Sequence, residues 1–162
     1  MTQTATFAAG CFWGVEELFR TQKGVVATEV GYTGGHPPVG GQAPTYEDVC
    51  GNQTGHTEAV RVTYDPAQIS YEQLLKLFWD NHNPTTPNQQ GQDIGSQYRS
   101  VIFFHTPEQE KLAKESKEKL QQSSRYKSKT IVTEIVPAGT FYRAEEYHQQ
   151  YFLKRGENTC HI

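Results

Sequence analysis

The spacing of apolar positions changes repeatedly along the 162 residues, and each change marks an element. Residues 4–9 form a short β-leaning stretch that runs through Gly10 into a segment where Phe12, Val15, Leu18 and Phe19 recur at helical spacing. The pattern predicts strand, glycine turn and helix to about Arg20. Lys23-Gly24 stops that helix, and residues 25–32 alternate as a strand ending at Gly34-Gly35. Residues 36–45 are rich in Gly and Pro and read as an irregular loop, followed by a helical turn over residues 46–50. Over residues 58–64, Ala59, Arg61 and Thr63 alternate with Val60, Val62 and Tyr64, so a strand is expected. Asp65-Pro66 turns the chain, and Ser70 suits the N-cap of a helix carrying Leu74, Leu75, Phe78 and Trp79.

Residues 81–97 make a second long polar loop with Pro84, Pro87, Gly91 and Gly95, and loops of this length inside a compact domain are usually functional or disordered. The loop has no charge runs, which argues for order. A buried strand is expected at 100–105, a charged helix from Thr106-Pro107 to about Gln122, a strand at 130–136 and a helix at 144–154. The order β-α-β-β-α-β, then α-β-α, predicts the α+β class: a two-layer α/β sandwich with a ferredoxin-like βαββαβ core and C-terminal additions. With no repeat, low-complexity tract or linker, residues 1–162 read as one domain with a mobile tail from about residue 154. A domain of this size buries roughly 70% of the surface of its unfolded chain, enough for one core without staples.

Charge narrows the function classes. Fifteen Lys and Arg against eighteen Asp and Glu give a formal charge of −3, which leaves no basic excess to hold a nucleic acid. Mean hydropathy is −0.70. No apolar stretch approaches the ~18 residues of a membrane span, and the N-terminus has no secretory signature, so a cytoplasmic protein is expected. The six histidines lack the Cys/His spacing of a zinc site, and residues 34–41, although glycine-rich, lack the Lys and context of a phosphate loop. Sulfur is the odd entry in the composition: Met1 is the one methionine, and three cysteines, Cys11, Cys50 and Cys160, cannot all pair within the chain. Cys11 falls where a strand ends and a helix starts, so its thiolate would face free helix N–H groups and the positive end of the dipole. On position alone it is either a reactive thiol or a packed one.

The pentapeptide Gly10-Cys11-Phe12-Trp13-Gly14 resembles the signature of the A-type peptide-methionine sulfoxide reductases. So do, in family order, Gly31-Tyr32-Thr33-Gly34-Gly35, Pro44-Thr45-Tyr46, Gly55-His56-Thr57-Glu58-Ala59, Phe78-Trp79-Asp80-Asn81-His82, Gly91-Gln92-Asp93 and Gln97-Tyr98-Arg99-Ser100. Phe141-Tyr142 and the block Glu145-Glu146-Tyr147-His148-Gln149-Gln150-Tyr151 extend the similarity nearly to the end. The resemblance implies reduction of methionine S-sulfoxide, free and in proteins. Cys11 would be the nucleophile and Glu58 a carboxylic acid kept protonated by an apolar setting, because a bare oxide leaves poorly. Tyr46 and Tyr98 would donate hydrogen bonds to the sulfoxide oxygen, and Asp93 would orient water or side chains. Phe12 and Trp13 would form the apolar wall for the substrate methyl.

By the same resemblance, oxygen transfer leaves Cys11 as a sulfenic acid, and Cys160 resolves it to a disulfide that thioredoxin, or dithiothreitol in vitro, reduces. With the chain ending at Ile162, direct reduction of the Cys11–Cys160 bond is expected. Cys50 reads as a structural thiol. No bound cofactor and no metal are expected, and the protein reads as a monomer whose partners are thioredoxin and oxidised proteins. Two other readings are a thiol peroxidase and a non-catalytic ferredoxin-like binding module of the kind that binds RNA. The set Tyr46, Tyr98, Glu58 and Trp13 speaks against the first, and the acidic balance against the second.

Overall fold

A computed structural model of the chain describes residues 1–36, 43–51 and 54–155. In chain order the elements are β1 (Gln3–Ala9), α1 (Phe12–Arg20), β2 (Val25–Thr33), α2 (Tyr46–Cys50), β3 (Thr57–Tyr64) and α3 (Tyr71–Asp80). There follow a small hairpin of β4 (Gln89–Gln90) and β5 (Asp93–Ile94), then β6 (Ser100–Phe104), α4 (Pro107–Gln121), β7 (Glu134–Pro137), β8 (Tyr142–Arg143) and α5 (Tyr151–Arg155). The main sheet has the order β7-β6-β1-β3-β2-β8, with β6 and β7 parallel and the other neighbours antiparallel. Helix α1 crosses from β1 to β2 and α3 from β3 to β6, so each crossover brackets one strand of the other pair. The α+β class expected from the sequence is the one observed.

Period-two alternation assigns the strand residues to layers. Ala5, Phe7 and Ala9 of β1, Val30 and Tyr32 of β2, Val60, Val62 and Tyr64 of β3 and Ile102 of β6 join the helices in the main core. Ala8, Ala59, Val101 and Phe103 face the other way, under Val136, Ala138 and Phe141. At the centre of the main core Phe7 stacks on Phe19 of α1 at 5.0 Å and lies 5.4 Å from Phe78 of α3. Both α2 and α3 start with reciprocal capping boxes, Thr45 with Asp48 and Ser70 with Gln73. Buried His82, just past α3, contacts the Phe78 carbonyl through Nδ1 at 2.6 Å and Ser100 Oγ through Nε2 at 2.7 Å. Because a carbonyl can only accept, Nδ1 carries the proton, and Nε2 accepts from the Ser100 hydroxyl; burial, which pulls this imidazole down to about 4, keeps the ring neutral.

Two expected elements are corrected. Residues 130–133 do not extend the last parallel strand, because their polar groups are used elsewhere. The Ile131 N–H donates to Gln121 Oε1 at 2.8 Å, the Val132 N–H to the Pro84 carbonyl at 2.8 Å, and the Thr133 hydroxyl meets Ser100 Oγ at 2.7 Å. Residues 144–154 are not one helix but a 3-10 turn, Glu146–His148, then extended Gln149, left-handed Gln150 and the short α5. Gln149 and Gln150 break it. The Gln149 amide pairs with both polar groups of Val30 on β2, accepting from its N–H at 2.9 Å and donating to its carbonyl at 3.0 Å, and it also donates to the Ala144 carbonyl at 2.9 Å. Gln150, with φ +46°, turns its N–H onto Glu16 of α1 at 2.7 Å. Side-chain amides thus take over the ladder bonds of β2 beyond β8.

Gln149 is 1% exposed, so truncating it strands the Val30 N–H and the Ala144 carbonyl away from water, while the Val30 carbonyl keeps the Ala144 N–H at 2.9 Å. A Gln149→Ala variant is expected to lose about 2–4 kcal/mol in urea unfolding. Its Val30 amide should exchange faster with solvent; unchanged protection at Val30 would refute the coupling.

Candidate active site

Cys11 is the N-cap residue of α1, with φ −56° and ψ 120°, and its side chain does not cap the helix. The turn that delivers it needs Gly10. That residue has φ +99°, and a Cβ there would lie 2.8 Å from Gln90 Cγ. Gln90 is itself held by Asn83, whose N–H it accepts at 2.8 Å and whose carbonyl it donates to at 2.9 Å. The long loop 81–97 is therefore packed against the back of the cysteine turn.

Glu58 shares the helix-facing side of β3 with Val60 and stands opposite Tyr32 in the β2–β3 register. This places its carboxyl beneath the start of α1, where Oε1 accepts the Phe12 N–H at 3.2 Å. Glu58 is only 2% exposed. Burial dominates its ionisation and, despite the stabilising Phe12 N–H, pushes the carboxyl up to about 8, with the neighbouring Asp93 charge adding to the rise. At neutral pH the group is a carboxylic acid with a proton to give.

Two phenols border this carboxyl. Tyr46 opens α2, and its hydroxyl is hydrogen-bonded to the Cys50 sulfur one turn along; burial, that bond and the nearby Glu58 push its pKa up. Tyr98 closes a 3-10 turn, Ser96–Tyr98, anchored where the Thr57 hydroxyl donates to the Gln97 carbonyl at 2.8 Å. Burial pushes Tyr98 up to about 12, with Glu58, Asp93, Cys50 and Cys11 as electrostatic neighbours. Both phenols therefore keep their protons and are hydrogen-bond donors at neutral pH. Asp93 comes from β5. Phe12 is fully buried, tilted against Tyr32 at 5.8 Å, whereas Trp13 is half-buried and stacked flat on Tyr151 at 3.7 Å and 4°.

Seven of the residues singled out in the sequence, Cys11, Phe12, Trp13, Tyr46, Glu58, Asp93 and Tyr98, thus converge on one end of the sheet. Cys160 lies outside the described residues. Cys50, read from the sequence as a structural thiol, lies at this site beside Tyr46. Sequence reasoning gave no individual role to the residues of 145–151 that complete it. Glu145 accepts from the Tyr32 hydroxyl at 2.8 Å and from the Tyr46 N–H at 3.0 Å, and His148 lies within ring contact of Phe12, Trp13 and Tyr46. Burial raises the Glu145 carboxyl, but the Tyr46 and Tyr32 hydrogen bonds outweigh it and hold the pKa below the usual value. The available signal was the run of Glu, His, Gln and Tyr with too few apolar positions for a packed helix.

A thiol at a helix start, faced by a buried neutral acid and two phenol donors, is the equipment of a cysteine-based oxidoreductase. Comparison with known proteins makes the class specific. The family model described as peptide methionine sulfoxide reductase matches residues 3–162. "Peptide methionine sulfoxide reductase MsrA" of Methanoculleus marisnigri is 61% identical over 98% of this chain and 93% of its own length. The crystal structure of reduced Mxr1 from Saccharomyces cerevisiae superposes with a TM-score of 0.90 at 36% identity, covering 99% of this chain and 89% of that one. Mxr1 in complex with Trx2 gives a TM-score of 0.62 at 28% identity over 93% of this chain and 84% of that one. The chain belongs to the peptide methionine sulfoxide reductase family and is an oxidoreductase. Among the described residues no helix is long and apolar enough to cross a membrane, and no cluster of three or more His, Cys, Asp or Glu could hold a metal.

The raised Glu58 pKa has a consequence for stability. The folded state holds this proton more tightly than the unfolded chain, so the contribution is complete below the ordinary value of 4.5 and is lost as pH rises through about 8. Glu58→Gln, which stays neutral at every pH, should flatten the decline of unfolding free energy between those limits, measured by urea titration at several pH values. An unaltered slope would mean that Glu58 ionises in the folded protein as it does in water.

Proposed function

We propose that the enzyme reduces the S epimer of methionine sulfoxide, free or within proteins, with the residues at the start of α1 in these roles. The Cys11 sulfur attacks the sulfoxide sulfur while Glu58 gives its proton to the sulfoxide oxygen, and Tyr46 and Tyr98 hold that oxygen by hydrogen bonds. The oxygen passes to Cys11, which becomes a sulfenic acid, and methionine leaves with its sulfur reduced. Asp93, an acidic neighbour of both Glu58 and Tyr98, helps keep the proton on Glu58 by its charge. Phe12 forms the floor and Trp13 the wall of the methyl pocket, and the separation of methyl and oxygen pockets selects one configuration at sulfur. The observation that carries this reading is the buried Glu58 carboxyl, 3.2 Å from the N–H of the residue after Cys11 and protonated at neutral pH.

The reset is proposed to run through Cys160. Its thiol displaces water from the Cys11 sulfenic acid to form a disulfide, which a thioredoxin dithiol reduces by exchange. The yeast relative solved in complex with Trx2 supports a thioredoxin as that partner. A cycle that needs a maintained thiol reductant fits an enzyme of the cytoplasm.

Reduced protein mixed with the S epimer and no reductant should release about one methionine and lose about two thiols per chain, with little product from the R epimer. Equal turnover of the two epimers would sink the assignment of separate methyl and oxygen pockets. Cys160→Ser should still release about one methionine and leave a Cys11 sulfenic acid open to a trapping reagent, and normal recycling by thioredoxin in that variant would remove Cys160 from the mechanism. Glu58→Gln should slow the first step by about 10²–10⁴-fold with the fold intact. In the unaltered enzyme the first-step rate should fall as pH rises through about 8, where the acid loses its proton.

A further inference from the structure

Trp13 and His148 meet across 135 positions of sequence: the indole Nε1–H donates to His148 Nδ1 at 2.9 Å. An indole nitrogen can only donate, so Nδ1 is the unprotonated nitrogen of a neutral ring whose hydrogen sits on Nε2. His148 is 1% exposed, and its Nε2 is buried with no hydrogen-bond partner among the described residues. Leaving that N–H unpaired costs about 1–3 kcal/mol, so filling space among the rings of Phe12, Tyr46 and Tyr147 does not explain an imidazole there. An apolar ring would fill it without the cost. What the imidazole alone supplies is an acceptor at the edge of the Trp13 indole.

That acceptor completes the fixing of the indole. The ring plane of Trp13 lies flat on Tyr151, which sets its tilt but allows it to slide or turn over. The hydrogen bond to His148 removes both freedoms. Tyr151 and His148 come from the same C-terminal segment, docked by Gln149 on Val30 and by Gln150 on Glu16.

We propose that His148 is a positioning residue which, as a hydrogen-bond acceptor, fixes the Trp13 indole at the angle that bounds the substrate methyl pocket. This rests on the reading of Trp13 given above. His148 acts through Trp13 and not on the reacting atoms, so its removal loosens substrate binding more than it slows oxygen transfer.

The test measures methionine release in a single turnover as a function of S-sulfoxide concentration. His148→Leu should raise the half-saturating concentration about tenfold and change the maximal rate by less than about threefold. His148→Asn, whose amide oxygen can occupy the place of Nδ1, should restore binding to within about threefold of the unaltered enzyme. Trp13→Phe should weaken binding by itself, and adding His148→Leu to it should cost less than about twofold more, because the donor is already gone. The chain has two tryptophans, and the Trp79 indole donates instead to Ser116 Oγ at 2.9 Å. Of the two indole N–H signals in a ¹⁵N spectrum, the one absent from Trp13→Phe should move in His148→Leu and return towards its place in His148→Asn, while the Trp79 signal stays. An unmoved Trp13 signal, additive losses in the double variant, or a folded His148→Asn that binds as poorly as the leucine variant would overturn the proposal. A Trp13→Phe enzyme that binds substrate as well as the unaltered one would overturn the reading of Trp13, and the proposal with it.

Discussion

The carboxyl of Glu58 sits where two physical demands oppose each other, and the site is arranged around the outcome. The start of α1 offers it an N–H and the positive end of a dipole, both of which favour the charged form. Burial between helix and sheet favours the neutral form, and the nearby Asp93 charge adds to it. Burial wins, so an acid survives at neutral pH beneath the helix start that carries the Cys11 thiol, the proposed nucleophile. In water a Glu carboxyl would be ionised at that pH. The fold separates the two groups by layer, with Cys11 at the helix tip and Glu58 on the strand below it.

Around that pair the chain divides its labour. The reactive groups come from residues 11–98, on elements whose places are set by the core: β1 and β3 through alternation, α1 through Phe19 on Phe7, α2 and α3 through their capping boxes. The segment 144–151 contributes hydrogen bonds that orient them. Glu145 gathers the Tyr32 hydroxyl and the Tyr46 N–H, His148 takes the Trp13 indole, and Gln149 and Gln150 attach the segment to β2 and α1. Buried Glu16 shows how firmly: it accepts the Gln150 N–H at 2.7 Å, the Gln150 amide at 2.9 Å and the Thr28 hydroxyl at 2.8 Å.

The sequence is most legible where local pattern and core coincide. Alternation over residues 58–64 puts Glu58 on the same face as Val60, and the glycine turn between strand and helix puts Cys11 at a helix start; both placements are observed. Legibility fails where side chains replace backbone partners. Nothing in the local spacing of residues 144–154 reveals that Gln149 completes the hydrogen bonding of Val30, more than a hundred positions earlier, so the segment reads as helix and is not one. The strand expected at 130–136 shrinks for the same reason, since Gln121, Pro84 and Ser100 claim its polar groups. Cys50 reads from the sequence as a structural thiol, and only the fold shows its sulfur bonded to the Tyr46 phenol.

The docking of residues 144–151 also sets a timetable. A chain is made from its N-terminus, so Cys11, Tyr46, Glu58 and Tyr98 leave the ribosome well before Gln149 exists to close the edge of β2. Until then the indole of Trp13 has neither Tyr151 to lie on nor His148 to hold it. A nascent chain can therefore carry the thiol and the acid while the wall proposed to recognise a methyl group is still unbuilt. On the proposed reading, selectivity arrives in synthesis later than the thiol and the acid, and it depends on this segment being docked.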